Sequence, residues 1–252
     1  MNIVLDMAFL EALMLAGVRF AAFLIIAPPF SYKAIPGRVK VMLAIGLALA
    51  VSPRVVPGYE VMDTGPFIGA IVMEFVTGAT LGFLVFLCFA AIQSAGNLID
   101  MFSGFQMAQG YDPQSMVNGA QFTKLFQMAA LALLFASDGY QIVLAGLIRS
   151  FDAVGVGEGV SMELTADTLI SGVSQMFLAA VQIGGPLLVV LFLADAGLGL
   201  LTRVAPALNA FALGFPLKVL ITLSLASIVF GALPRVVSAL VKTAFQAMAG
   251  VS

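Results

Sequence analysis

Four carboxylates stand in or beside long apolar stretches of this 252-residue chain: Glu74, Asp100, Asp112 and Asp195. Acids in such surroundings mark ion or proton pathways, or they pair with a base and pack. Arg19 interrupts the first apolar run, and Arg203 and Lys218 follow Asp195. Asp195 and Arg203 lie two turns apart, so they are not an i,i+4 pair. One chemistry open to these acids is a carboxylate relay in a self-sufficient proton-coupled transporter with broken helices. Against it, the chain has no histidine, no acids paired at helical spacing and no clear repeat of matched broken helices. With no histidine and Cys88 as its one cysteine, histidine metal sites, Cys/His zinc sites, Ser-His-Asp triads and disulfides are all excluded. No nucleophile and base suit an intramembrane enzyme, so neither enzymatic activity nor a cofactor is expected. Cys88, inside an apolar run, reads as a small packing residue.

The elements that must position these residues are membrane elements. The chain is 62% hydrophobic and 10% charged, with a mean hydropathy of +1.11, whereas globular proteins run near 25% charged. A net charge of −2 gives no reason to expect nucleic acid as a partner. Residues 1–30 do not read as a signal peptide, because Asp6 and Glu11 stand where a positive n-region belongs. The expected fold is all-α and integral to the membrane, with broken helices and helical hairpins.

Residues 7–30 form the first apolar span, holding Glu11 and Arg19 and closing at Pro28-Pro29. A basic connector follows (Lys33, Arg38, Lys40), then an apolar run of 13 residues, 39–51. That run is short for a ~20-residue span and suits half of a hairpin. Residues 52–66 read as a loop. Residues 67–99 carry Glu74 as their one charge. As a helix this run reaches about 50 Å, against a hydrocarbon core of about 30 Å, so it must tilt, break or stand partly outside lipid. Ala70, Glu74, Gly78 and Gly82 share one face of that helix. Small residues at this spacing let another helix approach closely, and place the carboxylate at the contact.

Residues 121–148 read as a further span, and the acidic stretch 149–167 as a solvated loop. Residues 168–194 are apolar but contain Gly184-Gly185-Pro186, where a bend or hairpin is expected. Residues 217–233 form the last span, and 236–252 an amphipathic tail. With six spans, six bases lie on one side and four on the other, a weak indication of orientation.

The stretch 96–119, GNLIDMFSGFQMAQGYDPQSMVNG, is too polar for lipid and too apolar for a solvent loop. Non-helical backbone between spans is tolerated where protein buries it or where it lines a watery cavity. The segment 195–218 echoes its composition.

Several stretches together resemble the FliR family of flagellar type III export-gate proteins, whose injectisome counterpart is SctT. They are Arg19 with Pro28-Pro29; the Glu74, Gly78, Gly82 stripe; 96–100 (GNLID) running to Gly104, Ala108 and Asp112-Pro113; and Asp195-x-Gly197-Leu198-Gly199-Leu200 with Arg203, Pro206, Asn209, Gly214, Pro216 and Lys218. The resemblance covers nearly the whole chain, and its last stretch is the most specific.

The resemblance implies a subunit present once per complex. It would form a helical export pore with FliP and FliQ, meet FlhB and pass unfolded substrates. It also implies residence in inner-membrane lipid at the flagellar basal body, with part of the assembly above the membrane plane. Residues 1–167 would be a FliP-like portion and 168–252 a FliQ-like portion of one membrane domain, 1–252. The family's plug maps to 105–122, with Phe105, Met107, Gly110, Tyr111, Asp112, Pro113, Met116 and Phe122 as its gating residues. Phenylalanine and methionine make a deformable apolar seal, and apolar constrictions gate by excluding water. Contacts with other subunits are expected from Arg19, Glu74, Gly78, Gly82, Asp100, Asp195, Arg203, Pro206, Asn209 and Lys218.

Overall fold

The computed structural model describes residues 6–105, 121–205 and 210–249, and every regular element among them is a helix. In chain order these are α1 (Met7–Ile26), α2 (Gly37–Val55), α3 (Thr64–Ser103), α4 (Gln121–Ala136), α5 (Gly139–Ala153), α6 (Met162–Val204) and α7 (Ala210–Ala249). A helix closes its backbone hydrogen bonds within its own segment, as an apolar environment demands. Among the described residues four helices are long and apolar enough to cross a membrane, and the α4–α5 pair makes a fifth if counted as one broken span. That is one fewer than the six spans assumed for the charge count. α2 is the difference, since Arg38, Lys40 and Arg54 all fall within its 19 residues.

Several boundaries depart from the expectations. α2 runs on through Pro53 to Val55, so part of the expected loop 52–66 is helical. The long third run is one unbroken helix of 40 residues, about 60 Å at 1.5 Å per residue. The expected single span 121–148 is two helices, broken at Ser137 and Asp138, with Asp138 in the left-handed region at φ 53°. Aspartate tolerates that conformation better than most residues. Gly184-Gly185-Pro186 lies inside the continuous 43-residue α6, and no hairpin forms there. The tail is helical too, merged with the last span into the 40 residues of α7.

The chain forms two compact units that interleave in sequence. Unit 1 takes Met1–Cys88, Asp138–Val173 and Leu240–Ser252, and unit 2 takes Phe89–Ser137 and Ser174–Ala239. In unit 1, α1 and α2 make a hairpin joined through the cis Pro28-Pro29 peptide, and Gly17 faces Ala48. α1 also lies along the first half of α3, both running in the same direction, because Gly78 meets Arg19 and Ala22 while Gly82 meets Phe23 and Ile26. A Cβ at Gly78 would overlap the Arg19 carbonyl oxygen, so the approach needs the missing side chain. Leu15, Phe20, Phe23 and Leu24 are fully buried around this contact.

Unit 2 is organised on aromatic packing. The Phe126 ring meets Phe230 edge-on at 5.2 Å and Phe122 at 6.1 Å, both within the range of favourable ring pairs. Gly96 of α3 lies against the backbone of Phe122 and Thr123, where a Cβ would come within 2.7 Å of the Thr123 Cα. α3 ends at Ser103, and Gly104 turns the chain with φ 83°.

Candidate functional site

An arginine in the middle of an apolar helix has to find acceptors nearby, because exposing its charge to lipid is costly. α1 carries Arg19 into the contact with α3, and α3 offers Glu74 one turn before Gly78. Arg19 Nε donates to Glu74 Oε2 at 2.6 Å and Nη2 donates to Oε1 at 2.8 Å. Both side chains are withdrawn from solvent, at 0% and 1% exposure. The two parallel bonds match a planar guanidinium to a carboxylate, a geometry lysine cannot supply.

The remaining donors go to a third element. Nη1 reaches the Ser150 carbonyl at 3.1 Å, the Ser150 hydroxyl at 3.2 Å and the Val154 carbonyl at 3.1 Å. Nη2 also reaches the Gly155 carbonyl at 3.3 Å. The Gly157 N–H donates to Glu74 Oε1 at 2.8 Å. Gly157 has φ 86°, a conformation open to glycine without penalty. The Phe151 ring lies under the guanidinium, 4.1 Å from centroid to Cζ, close enough for a cation–π contact. One buried ion pair thus ties α1, α3 and the end of α5 with its following connector into a single clamp. Among the described residues no buried side-chain nitrogen or oxygen lacks a partner.

A second carboxylate does comparable work in unit 2. Asp100 is fully buried near the end of α3. Its Oδ1 accepts from the Phe122 N–H at 3.0 Å, and its Oδ2 accepts from the Thr123 N–H and hydroxyl at 2.8 and 2.9 Å. The first turn of a helix leaves N–H groups unpaired and carries a positive partial charge. Asp100 caps α4 from a different helix. Phe105 and Phe122 then stand 5.6 Å apart, centroid to centroid, so the chain leaves α3 and enters α4 at nearly one point.

Lys218 Nζ lies 2.6 Å from Asp195 Oδ1, an ion pair between α7 and α6 with both groups partly exposed. Arg203 is exposed. The Cys88 thiol donates to the Leu240 carbonyl at 3.2 Å.

Of the residues expected at subunit contacts, Arg19, Glu74, Gly78, Gly82 and Asp100 each meet partners within this chain. The helix that fills the Gly78–Gly82 stripe is α1, which brings its own counter-charge. Asp195 and Lys218 likewise meet each other. Met107, Gly110, Tyr111, Asp112, Pro113, Met116, Pro206 and Asn209 lie outside the described residues. Phe105 follows Gly104, and Phe122 is buried in the first turn of α4.

The sequence reading missed Ser150, Phe151 and the backbone of Val154, Gly155 and Gly157, because their stretch looked like a solvated acidic loop. The alternating Gly155, Gly157 and Gly159 beside an aromatic residue are the signal that marks it as packed. It also missed Thr123, and Glu11, whose Oε2 accepts from the Tyr59 hydroxyl at 3.2 Å and the Met62 N–H at 3.1 Å.

This arrangement clamps helices together through buried carboxylates. Glu74 and Asp100 spend their oxygens on internal donors, and among the described residues no group of three or more His, Cys, Asp or Glu could hold a metal. Fold and site define an all-α integral membrane protein braced by buried charge. Across residues 10–244 the chain matches the model of the bacterial export proteins, family 1, and it belongs to that family. It is similar to the flagellar biosynthetic protein FliR of Bacillus subtilis (strain 168), 27% identical over 227 residues, or 88% of this chain and 86% of that protein. The FliR of Escherichia coli (strain K12) is 30% identical over 209 residues, 82% of this chain and 80% of the relative. The Yop proteins translocation protein T of Yersinia pseudotuberculosis is 30% identical over 212 residues, 79% of this chain and 78% of the relative.

Proposed function

We propose that the chain is a non-enzymatic subunit of the flagellar type III protein export gate in the bacterial inner membrane. It builds the export pore with FliP and FliQ, present once per complex, meets FlhB, and contributes a plug from 105–122 that seals the pore to ions at rest. The carrying observation is membership of an export family over residues 10–244. The helix lengths support it: α3, α6 and α7 run to 40, 43 and 40 residues, about twice what a bilayer crossing needs. Helices of that length suit an assembly that stands partly outside lipid and is covered by other subunits. The choice of flagellar over injectisome export follows the FliR relatives.

The plug draws its support from composition and from its roots. Its sequence supplies Phe, Met and Gly, and its two ends are pinned together by Asp100 and by the Phe105–Phe122 contact. A FliP-like portion at 1–167 followed by a FliQ-like portion at 168–252 remains part of this reading; the compact units divide the chain differently. A proton-coupled transporter is less well served, since the Glu74 and Asp100 carboxylates already accept three internal hydrogen bonds each. Reconstitution of the chain alone into vesicles decides between the two. The export-gate reading expects no substrate-specific, proton-driven uptake; such uptake by the isolated chain would overturn it.

A further inference from the structure

Between Glu11 and Glu60 the chain holds no acid and five bases. Two of these are matched from elsewhere, Arg19 by Glu74 and Arg54 by Asp152. Among the described residues Lys33, Arg38 and Lys40 close no ion pair. They stand in the connector after α1 and in the first turn of α2. α1 is long and apolar enough to cross a membrane and ends at Ile26. Bases just past the end of such a span fall at the level where hydrocarbon gives way to headgroups.

The body of α2 is apolar on the wrong side for water. Its buried face includes the small Ala44 and Ala48, the latter against Gly17 of α1. The large side chains point outward instead, with Met42 at 72% exposure, Ile45 at 50% and Leu49 at 49%. A contiguous apolar strip of this kind marks a surface that something else covers. Arg38, Met42, Ile45 and Leu49 follow at steps of four, three and four, so they share one face of the helix. From Arg38 to Leu49 that face runs about 16 Å, close to the depth of one leaflet of a ~30 Å hydrocarbon core. A charged end followed by one leaflet's length of apolar surface matches a phospholipid in both charge and reach. A covering protein would have to bring acids to the bases as well as an apolar face to the strip.

We propose that the outer face of α2 binds an anionic phospholipid, with its phosphate held by Lys33, Arg38 and Lys40 and an acyl chain lying along Met42, Ile45 and Leu49. The Arg38 guanidinium suits a phosphate through its fork of donors, and the two lysines add point charges. Their stems lie on apolar surface while the charged ends reach the headgroup. A zwitterionic lipid is the poorer ligand, because its own ammonium already offsets the phosphate. This site needs only the membrane character of the chain and stands independently of the export-gate reading.

The test uses the full chain, with any subunits that co-purify, reconstituted into phosphatidylethanolamine vesicles. The vesicles are doped with phosphatidylglycerol carrying a photoreactive diazirine in one acyl chain, or with phosphatidylethanolamine carrying the same chain. After illumination the labelled residues are mapped by mass spectrometry. The phosphatidylglycerol probe should label residues 41–49 at least roughly tenfold more than the phosphatidylethanolamine probe, as expected for bases near an anionic headgroup. Replacing Lys33, Arg38 and Lys40 together by Gln should bring the two probes level. Arg54→Gln, which removes a base from the other end of the same helix, should leave the preference intact. Equal labelling of the unaltered chain by both probes would overturn the proposal without reference to any variant. So would a preference that survives the triple replacement, or no labelling at 41–49, the result expected if a protein subunit covers this face.

Discussion

Arg19 and Glu74, 55 residues apart in sequence, close a bidentate ion pair in which neither side chain reaches solvent. Their separation along the chain makes the pair a tertiary staple between α1 and α3. The backbone of 154–157 is drawn into it by the donors and acceptor that remain.

Breaking this pair from one side should be severe. Arg19→Ala leaves the Glu74 carboxylate buried without its counter-charge, and loss of one member of a buried pair typically costs about 3–5 kcal/mol. Arg19→Lys should recover only part of that, since one ammonium cannot reproduce the fork. The double variant Arg19→Met with Glu74→Met removes both charges and should be more stable than Arg19→Ala. Thermal unfolding of the detergent-solubilised chain measures all three. Equal losses for the single and double variants would show that charge pairing is not what holds the contact.

Close approach at Gly78 should be equally specific. Gly78→Ala forces α1 and α3 apart at the Arg19 carbonyl and is expected to destabilise by about 1–3 kcal/mol, as overpacking usually does. Gly231→Ala is the control. Its added Cβ meets nothing within 4 Å, and a methyl group inside a helix should be neutral or slightly stabilising. The same unfolding measurement compares them.

Asp100→Ala should loosen the start of α4. It leaves the Phe122 and Thr123 N–H groups without their acceptor, at about 1–2 kcal/mol for a lost cap. Hydrogen exchange should speed at residues 121–124 while the middle of α4 stays protected. Unchanged exchange there would remove Asp100 from the role of cap.

How much of this was legible in the sequence follows from which interactions are local. The all-α membrane class, the over-long third helix and the small-residue face with Glu74 upon it depend on composition and on a 3.6-residue period. Both are written in the chain. That Arg19 is the partner of Glu74 depends on how α1 lies along α3, and no local pattern encodes that choice. The end of α5 and its connector were misread for a related reason. Acids and glycines look solvated when the groups that matter are backbone carbonyls and N–H groups, which every residue carries. The break at Asp138 carried one local signal, the turn dipeptide Asp138-Gly139, submerged in an otherwise apolar run, and Gly184-Gly185-Pro186 was over-read because a long helix can hold a proline.

The proposed plug at 105–122 makes a prediction about conductance. Deletion of residues 106–119 in cells producing the whole gate should leave co-purification with FliP and FliQ homologues unchanged, because the roots at Asp100 and Phe122 remain. The resting membrane should become leaky to ions. An assembled complex lacking this segment with no added conductance would contradict the seal.

The most direct test of the account is the native mass of the complex purified through this chain from membranes that also contain FliP and FliQ homologues. A single species holding one copy of this chain with several copies of those partners is the predicted result. Recovery of the chain alone, or only as a complex with copies of itself, would contradict it.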